Sequence, residues 1–304
     1  MPERVTVIGG GHGLAAVLAT LRDEPGELTV VVTVADDGGS SGELRRRYGG
    51  AAVGDLRRAL LALADEDTPL ARALARPITV EHFGRHPIGN LLLHALAEVL
   101  GDLTQATDWL RVQLGIRARV LPATVDAVSL LGEAGGQIIV GESAIGASDA
   151  VIRRLRFSPE RPRVTEAALD AIRCSDYVLL GPGSLFTSVL AVCALPDVAC
   201  ALAETSARIV WIANLEPQAG ETGGMSARNH LAVLRRHGVR VDAVLYDPWA
   251  ALSFAPEQLV RSHIEPISYP LQAAGETGIH CPALLRDALT ETLAGGRHAA
   301  FAAC

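Results

Sequence analysis

Two glycine-rich segments hold the residues whose types and spacing could do chemistry. Gly9–Gly13 and Asp36–Gly42 each follow a run of β-branched residues typical of a buried parallel strand, and the second begins with two adjacent carboxylates. Backbone N–H groups in such turns bind anions at helix starts, and ligands of open α/β sheets collect at the carboxyl ends of strands. We therefore expect a nucleotide-like ligand that contains a diphosphate. Asp36 and Asp37 would hold its magnesium ion or its ribose hydroxyls.

The candidate ligand-binding residues share a position at the end of a predicted strand or at the start of the next helix. The complete set is Gly10, Gly11, His12, Gly13, Asp36, Asp37, Gly38, Ser40, Ser41, Asp55, Asn90, Gly181, Gly183, Ser184, Thr187, Asn214, Glu221 and Thr222. Some also have a structural alternative, such as an N-cap for Asp55 or Ser184 and a buried amide for Asn90. Their convergence on one edge of a sheet favours a ligand site.

The first turn also fits a dinucleotide-binding pattern. Gly11-x-Gly13-x-x-Ala16 is a relaxed form of that fingerprint, and Asp36 or Asp37 follows at about the 20-residue offset of a ribose-binding acid. A nicotinamide-dependent oxidoreductase is therefore an alternative. The triple glycine before the fingerprint and the doubled acid before Gly-Gly-Ser-Ser-Gly are not part of that pattern, and they favour a second anion-binding loop.

Several reaction classes need residues that the sequence lacks. It contains no lysine, which excludes Schiff-base chemistry and the P-loop lysine. Gly183-Ser184-Leu185 does not continue as the G-x-S-x-G of a hydrolase, so we prefer anion binding to acyl chemistry there. The nine histidines show no H-E-x-x-H spacing, and we expect no zinc site.

Composition limits the partners and the compartment. A formal charge of −7 gives no field that would attract nucleic acid. Five cysteines without a C-x-x-C pair suit a reducing compartment, and the N-terminal sequence has no cationic leader, so we expect a cytoplasmic protein. The uncharged stretch Tyr177–Pro196 contains Gly-Pro-Gly-Ser, which predicts a strand, a turn and a buried helix and no membrane span.

The elements that position these residues alternate between strand and helix, which predicts a parallel sheet in a single α/β domain over 1–304. Strands are expected at 5–9, 28–35, 177–180, 207–213 and 243–246. Helices are expected at 13–22, 54–64, 69–75, 88–100, 104–114, 165–173, 184–194 and 227–237. A small antiparallel or irregular insert is expected from short β-like pieces at 117–121, 127–131, 137–140 and 151–157. The segment after Asp247 is expected to be less regular.

These motifs resemble the YvcK, or gluconeogenesis factor, family, which is related to the CofD 2-phospho-lactate transferases. The resemblance is carried in order by Gly9–Leu14, Thr33–Gly42, Gly54–Arg57, Ile88–Leu91, Pro122–Thr124, Gly141–Ser143, Gly181–Ser188, Asn214, Gln218, Gly220–Thr222, Ser226–Ala227 and His230. It covers 1–247 and leaves 248–304 as a divergent segment of the same domain. It implies a three-layer α/β/α, Rossmann-like fold and a cytoplasmic location, and we also expect a homo-oligomer, a dimer.

The two branches of the family imply different functions. YvcK relatives bind UDP-sugars and regulate cell shape and wall synthesis during growth on gluconeogenic carbon sources. CofD relatives transfer a phospholactyl-type group from a guanylylated donor to a deazaflavin with Mg²⁺, and Asp36 and Asp37 would then be catalytic. An aromatic content of 4% offers few rings for stacking a deazaflavin, which favours the first function.

The chain departs from the family pattern at a few positions. These are Glu216, Pro217 and Ala219 beside Asn214, Asn229 before the family's histidine, and Ile279 and Cys281 where the family has R-H-D-P. Loss of an arginine and an aspartate near the C-terminus predicts weaker contacts to the phosphate or base of a nucleotide.

Overall fold

The computed structural model describes residues 3–81, 84–273, 275 and 278–299. The strands are β1 (Arg4–Gly9), β2 (Glu27–Val32), β3 (Pro77–Val80), β4 (Gly84–Pro87), β5 (Arg119–Pro122), β6 (Ser129–Ala134), β7 (Gln137–Val140), β8 (Ile152–Ser158), β9 (Tyr177–Leu180), β10 (Arg208–Ile212), β11 (Ala243–Tyr246) and β12 (Glu265–Ser268). The helices are α1 (Gly11–Leu21), α2 (Gly39–Tyr48), α3 (Gly54–Leu63), α4 (Pro69–Ala75), α5 (Ile88–Leu100), α6 (Leu103–Gln113), α7 (Glu142–Gly146), α8 (Glu166–Arg173), α9 (Leu190–Cys193), α10 (Pro196–Glu204), α11 (Ala227–Arg236), α12 (Pro256–Arg261) and α13 (Pro282–Ala299). A π-helical turn, Leu185–Val189, leads directly into α9.

A seven-stranded parallel sheet forms the centre of the fold, in the order β12-β11-β10-β9-β1-β2-β5. Every residue of β9 and of β11 is buried, as expected for strands covered by helices on both faces. The chain moves outward from β1 to β2 and β5, returns beside β1 at β9, and continues outward to β12. The direction therefore reverses between β1 and β9, and open α/β sheets bind ligands at the carboxyl ends of strands at such a point.

Helices cover both faces of this sheet. α1 packs against α3 and α13, whereas α10 packs against α8 and α9. Parallel crossover connections are right-handed. The connections from β1 toward β5 and those from β9 toward β12 run in opposite directions across the sheet, so their helices lie on opposite faces. The expected three-layer α/β fold is confirmed.

Two small antiparallel sheets lie outside the main sheet, a three-stranded sheet in the order β7-β6-β8 and the β3–β4 hairpin. The first confirms the antiparallel insert expected over 127–131, 137–140 and 151–157. The piece expected at 117–121 was assigned wrongly to that insert, because β5 is the edge strand of the main sheet and pairs with β2. Its partner lies far earlier in the chain, so the local pattern of apolar residues does not reveal the pairing.

The C-terminal segment is more regular than the sequence predicts. β12 extends the main sheet beside β11, and α13 packs against α1. One face of α13 is fully buried through Leu285, Ala288, Leu289 and Leu293, a spacing typical of an amphipathic helix. β12 was missed because it has only four residues and one of them is Pro266.

Within the described residues, no single helix has both the length and the apolar composition needed to cross a membrane. One bent pair, Leu185–Cys193 with Pro196–Glu204, meets that requirement jointly, with a bend of 73° between its two parts. Every residue of the first part is buried in this fold.

Candidate functional site

A cavity of about 350 Å³ lies where the loops that follow β1 and β9 meet, at the point where the sheet order reverses. Its lining residues come from both loops and from neighbouring segments. They are Gly10, Gly11, His12, Gly13, Thr33, Asp36, Asp55, Arg58, Glu142, Gly183, Ser184, Thr187, Ser188 and Gln218. The cavity therefore lies at the carboxyl edge of the sheet, where the sequence analysis expects the ligand site.

The start of α1 forms one wall of the cavity and approaches the β9 loop closely. A Cβ atom on Gly13 would overlap the carbonyl oxygen of Pro182, so only glycine permits this approach. The N–H of Gly11 donates to Oδ2 of Asp55 at 3.0 Å. Asp55 therefore occupies the N-terminal end of α1, where an anionic ligand group would otherwise be stabilised.

Asp55 also forms an ion pair with Arg58, one turn further along α3. Burial raises the pKa of Asp55, the Arg58 guanidinium lowers it, and the Asp36 carboxylate raises it again. Both side chains of the pair line the cavity. They place a matched positive and negative charge at its wall.

The adjacent aspartates after β2 have different environments. Asp36 lines the cavity, and its Oδ1 accepts the N–H of Gly38 at 2.9 Å. Asp37 is not among the lining residues, and its carboxylate accepts the N–H groups of Glu142 at 3.0 Å and Ser143 at 2.9 Å. One member of the pair faces the cavity, and the other holds the start of α7.

Arg45 of α2 fixes the turn that carries both aspartates. Its guanidinium donates to the carbonyl oxygens of Ala35 at 3.1 Å, Asp36 at 2.9 Å and Val128 at 2.7 Å. Burial lowers the pKa of Arg45, and the carboxylates of Asp37 and Asp36 raise it. The segment expected to be an anion-binding loop thus begins a helix whose arginine supports the acidic turn.

Glu142 is a cavity residue that the sequence prediction did not include. Burial raises its pKa to about 7, and the carboxylates of Asp36, Asp37, Asp55 and Glu221 add to the shift. The motif Gly141-Glu142-Ser143 at the end of a predicted strand was the available signal. Glu142 is therefore a carboxyl group that can gain or lose a proton near neutral pH.

The β9 loop is held by a side-chain amide from the next strand. Asn214 follows β10, and its Oδ1 accepts the N–H of Gly183 at 3.0 Å while its Nδ2 donates to the carbonyl of Gly183 at 2.9 Å. Nε2 of Gln218 donates to Oγ of Ser184 at 2.9 Å. The buried Oε1 of Gln218 has no hydrogen-bond partner among the described residues, so this amide can still bind a polar ligand group.

Glu221 supports the π-helical turn beneath the cavity. Its carboxylate accepts the N–H of Phe186 and, at 2.8 Å, the hydroxyl of Thr187. Burial raises the pKa of Glu221, and these hydrogen bonds lower it. Thr222, also buried, accepts the N–H of Gln218 at 2.9 Å. Both residues position cavity-lining neighbours and do not line the cavity themselves.

A second polar network lies at the start of α2. Oγ of Ser40 is 2.8 Å from Nδ1 of His86 and accepts from Nδ2 of Asn90 at 2.9 Å. Nε of Arg57 donates to Oδ1 of Asn90 at 2.9 Å. Ser40 and Asn90 therefore stabilise the packing of α2 against β4 and α5, and neither lines the cavity.

The structure brings together half of the predicted set. The predicted residues that line the cavity are Gly10, Gly11, His12, Gly13, Asp36, Asp55, Gly183, Ser184 and Thr187. The others lie outside its lining and are Asp37, Gly38, Ser40, Ser41, Asn90, Gly181, Asn214, Glu221 and Thr222. Cavity residues that the prediction missed are Thr33, Arg58, Glu142, Ser188 and Gln218.

Comparison with known proteins gives consistent matches. The model of the family "2-phospho-L-lactate transferase CofD" matches residues 5–273. A Mycobacterium tuberculosis relative named "Putative gluconeogenesis factor" is 43% identical over 263 residues, covering 81% of this chain and 76% of the relative. The "Gluconeogenesis factor" of Halalkalibacterium halodurans is 38% identical over 238 residues, covering 77% and 74%. A crystal structure of a UPF0052 family member from Bacillus halodurans has a TM-score of 0.89 and 31% identity, covering 96% of this chain and 99% of that one.

Proposed function

Because this chain belongs to the CofD family and has gluconeogenesis factors among its relatives, we propose that it is a regulatory protein that binds a UDP-sugar. It would act in the cytoplasm, in the control of cell shape and wall synthesis during growth on gluconeogenic carbon sources. The observation that carries this proposal is the polar cavity at the point where the sheet order reverses.

The start of α1 supports a diphosphate in this cavity. Helix N-termini present N–H groups without intrahelical partners and a partial positive charge. Asp55 accepts the N–H of Gly11, and His12 and Gly13 continue the first turn along the cavity wall. Arg58 lies beside Asp55 in the same wall. An incoming phosphate would compete with Asp55 for both α1 and Arg58.

The carboxylates around the cavity favour a ligand that arrives with a divalent cation. Asp36, Asp55 and Glu142 line it, and Arg58 is the one arginine in that lining. Among the described residues no group of three or more acidic, histidine or cysteine side chains could hold a metal ion alone. Mg²⁺ binds proteins through one or two carboxylates together with ligand phosphates and water, so Asp36 and Glu142 fit it. The ion would offset the charge of the diphosphate.

A CofD-type transferase is the second candidate, and Glu142 is the observation that favours it. An acceptor hydroxyl would attack the phosphorus of a guanylylated donor, the bond to the leaving GMP would break, and a carboxylate would take the hydroxyl proton. A pKa of about 7 makes the Glu142 carboxylate suitable for accepting that proton at neutral pH. Asp36 is the alternative carboxylate in the same cavity.

Calorimetric titration with UDP-N-acetylglucosamine, with and without Mg²⁺, tests the binding function. We expect saturable binding that requires Mg²⁺, and a loss of about tenfold or more in affinity for Asp36→Asn because a charged contact is removed. GDP and NAD serve as competing ligands. Binding of GDP or NAD with no binding of any UDP-sugar would contradict the proposal.

Incubation with a guanylylated phospholactate donor, a deazaflavin and Mg²⁺ separates the two candidates. We expect no GMP in the chromatogram if the protein is a regulator. Catalytic release of GMP that is lost in both Glu142→Gln and Asp36→Asn would identify a transferase instead.

A further inference from the structure

The helix α7 approaches loops from both halves of the sheet, and its first residue, Glu142, lines the cavity. Its N-terminal end meets the loop after β2, where a Cβ atom on Gly141 would overlap the carboxylate of Asp37. Its C-terminal end meets the loop after β10, where a Cβ atom on Gly220 would overlap the carbonyl oxygen of Gly146. In the sheet, β1 and β9 stand between β2 and β10. We call α7 the bridge, since it contacts the loops after β2 and β10 on the two sides of the cavity.

The N-terminal end of the bridge is held by the Asp37 carboxylate and by the N–H of Gly141, which donates to the carbonyl oxygen of Leu130 at 2.8 Å. Oδ2 accepts the N–H of Glu142 at 3.0 Å and Oδ1 accepts the N–H of Ser143 at 2.9 Å. Both carboxylate oxygens therefore accept backbone N–H groups. Gly141 approaches the Asp37 carboxylate so closely that no side chain fits between them. The same peptide carries the side chain of Glu142, which lines the cavity.

We propose that Asp37 is a positioning residue, which clamps the bridge so that the Glu142 carboxyl group faces the ligand, and that Asp37 itself contacts neither ligand nor metal. The adjacent aspartates thus have separate roles, with Asp36 in the cavity and Asp37 on the bridge. This inference rests on the cavity proposed above as the ligand site. The clamp itself is a property of the protein without ligand.

Amide hydrogen exchange of the peptide 141–147 tests the clamp without any ligand. In Asp37→Ala both hydrogen bonds to the bridge are lost, and we expect exchange to be faster by about tenfold or more. Asp37→Asn keeps one carbonyl oxygen and places an NH₂ group against the other N–H, so we expect an intermediate rate. Asp176→Asn is the matched control, because Oδ2 of Asp176 accepts the N–H groups of Glu3 and Arg4 at the opposite end of the sheet.

Unchanged exchange of peptide 141–147 in Asp37→Ala, or an equal increase in Asp176→Asn, would overturn the proposal. Both outcomes are independent of whether the protein binds a UDP-sugar. A failure of the proposed function therefore cannot be mistaken for a failure of the clamp.

A double-mutant cycle tests whether Asp37 acts through Glu142. The affinity for UDP-N-acetylglucosamine with Mg²⁺ is measured for Asp37→Asn, Glu142→Gln and the pair. We expect Asp37→Asn to weaken binding in the native background and to change it by less than about twofold once Glu142 is replaced, because coupled residues are not additive. Additive losses of affinity would show that Asp37 contacts the ligand directly. An equal increase, in both backgrounds, of the Mg²⁺ concentration needed for binding would show that Asp37 contacts the metal directly.

Discussion

At the scale of single residues, the acidic groups of the cavity differ in what they already bind. The Asp55 carboxylate accepts the N–H of Gly11 and pairs with Arg58, whereas the Asp36 carboxylate accepts the local N–H of Gly38. Glu142 has no ion pair among the described residues, and burial together with its acidic neighbours raises its pKa to about 7. The charge of the site therefore depends on pH and on a bound cation.

Asp55→Asn is expected to strengthen nucleotide binding in the absence of Mg²⁺. The substitution removes one negative charge from the wall and releases Arg58 for a phosphate, while the amide oxygen can still accept the N–H of Gly11. An increase in affinity of about tenfold corresponds to roughly 1.4 kcal/mol. Titration with UDP in EDTA measures it. Weaker binding would show that the Asp55 carboxylate itself contacts the nucleotide.

Glu142→Gln is expected to change the pH dependence of stability. A carboxyl group whose pKa rises from 4.5 to about 7 on folding binds more protons in the folded state, so its contribution favours folding below pH 4.5 and is lost as pH rises to about 7. The variant should therefore melt higher than the native protein at pH 8 and no higher at pH 4.5.

Melting temperatures of both proteins between pH 4.5 and 8 measure this effect. Burial also raises the pKa of Asp55 and Glu221, so both proteins keep some of the same slope, and the difference between their curves isolates Glu142. Parallel curves would mean that Glu142 is ionised with its ordinary pKa in the folded protein.

At the scale of elements, the sequence predicted the two loops of the cavity but not the elements that complete it. The ends of β1 and β9 could be predicted from the adjacent sequence, because glycines follow β1 and Gly-Pro-Gly-Ser follows β9. Arg58 was missed because it reaches the cavity from α3, whose placement depends on tertiary contacts with α1. Glu142 belongs to a motif that the resemblance includes but not to the predicted site set, and its hydrogen bond to Asp37 fixes the end of α7 that carries it. Asn90 and Ser40 have polar side chains, as expected of a ligand site, but these side chains form a hydrogen bond with each other.

Gly13→Ala tests the close approach of α1 and the β9 loop. A Cβ atom there would overlap the carbonyl of Pro182, so the two loops must separate, and we expect a loss of about 1–3 kcal/mol of unfolding free energy together with weaker nucleotide binding. Gly146→Ala is the matched control, because a Cβ atom at that position has no heavy atom within 4 Å. Denaturant unfolding and titration measure both effects. Equal stability of the two variants would mean that the loops are not in close contact.

At the scale of the whole molecule, strand–helix alternation was enough to predict the parallel sheet, since buried strands and amphipathic helices have distinct periodicities. It did not place β5, whose partner β2 is remote in sequence, or β12, whose four residues include a proline. The match of the CofD family model ends at residue 273, before α13 begins. The C-terminal helix nevertheless packs against α1, the helix whose first turn lines the cavity.

Leu289→Ala tests whether this C-terminal helix belongs to the same cooperative unit as the cavity. Leu289 is fully buried on α13, so its truncation leaves a cavity in the core and should cost about 2–5 kcal/mol. Val260→Ala is the control on an exposed face of α12, with an expected change within about 0.5 kcal/mol. Denaturant unfolding is followed by far-ultraviolet circular dichroism and by the fluorescence of the three tryptophans, of which Trp211 is buried in β10. Both signals should move together to lower denaturant in Leu289→Ala, because α13 packs against α1. A separate early transition seen only by circular dichroism would show that α13 unfolds independently of the parallel sheet.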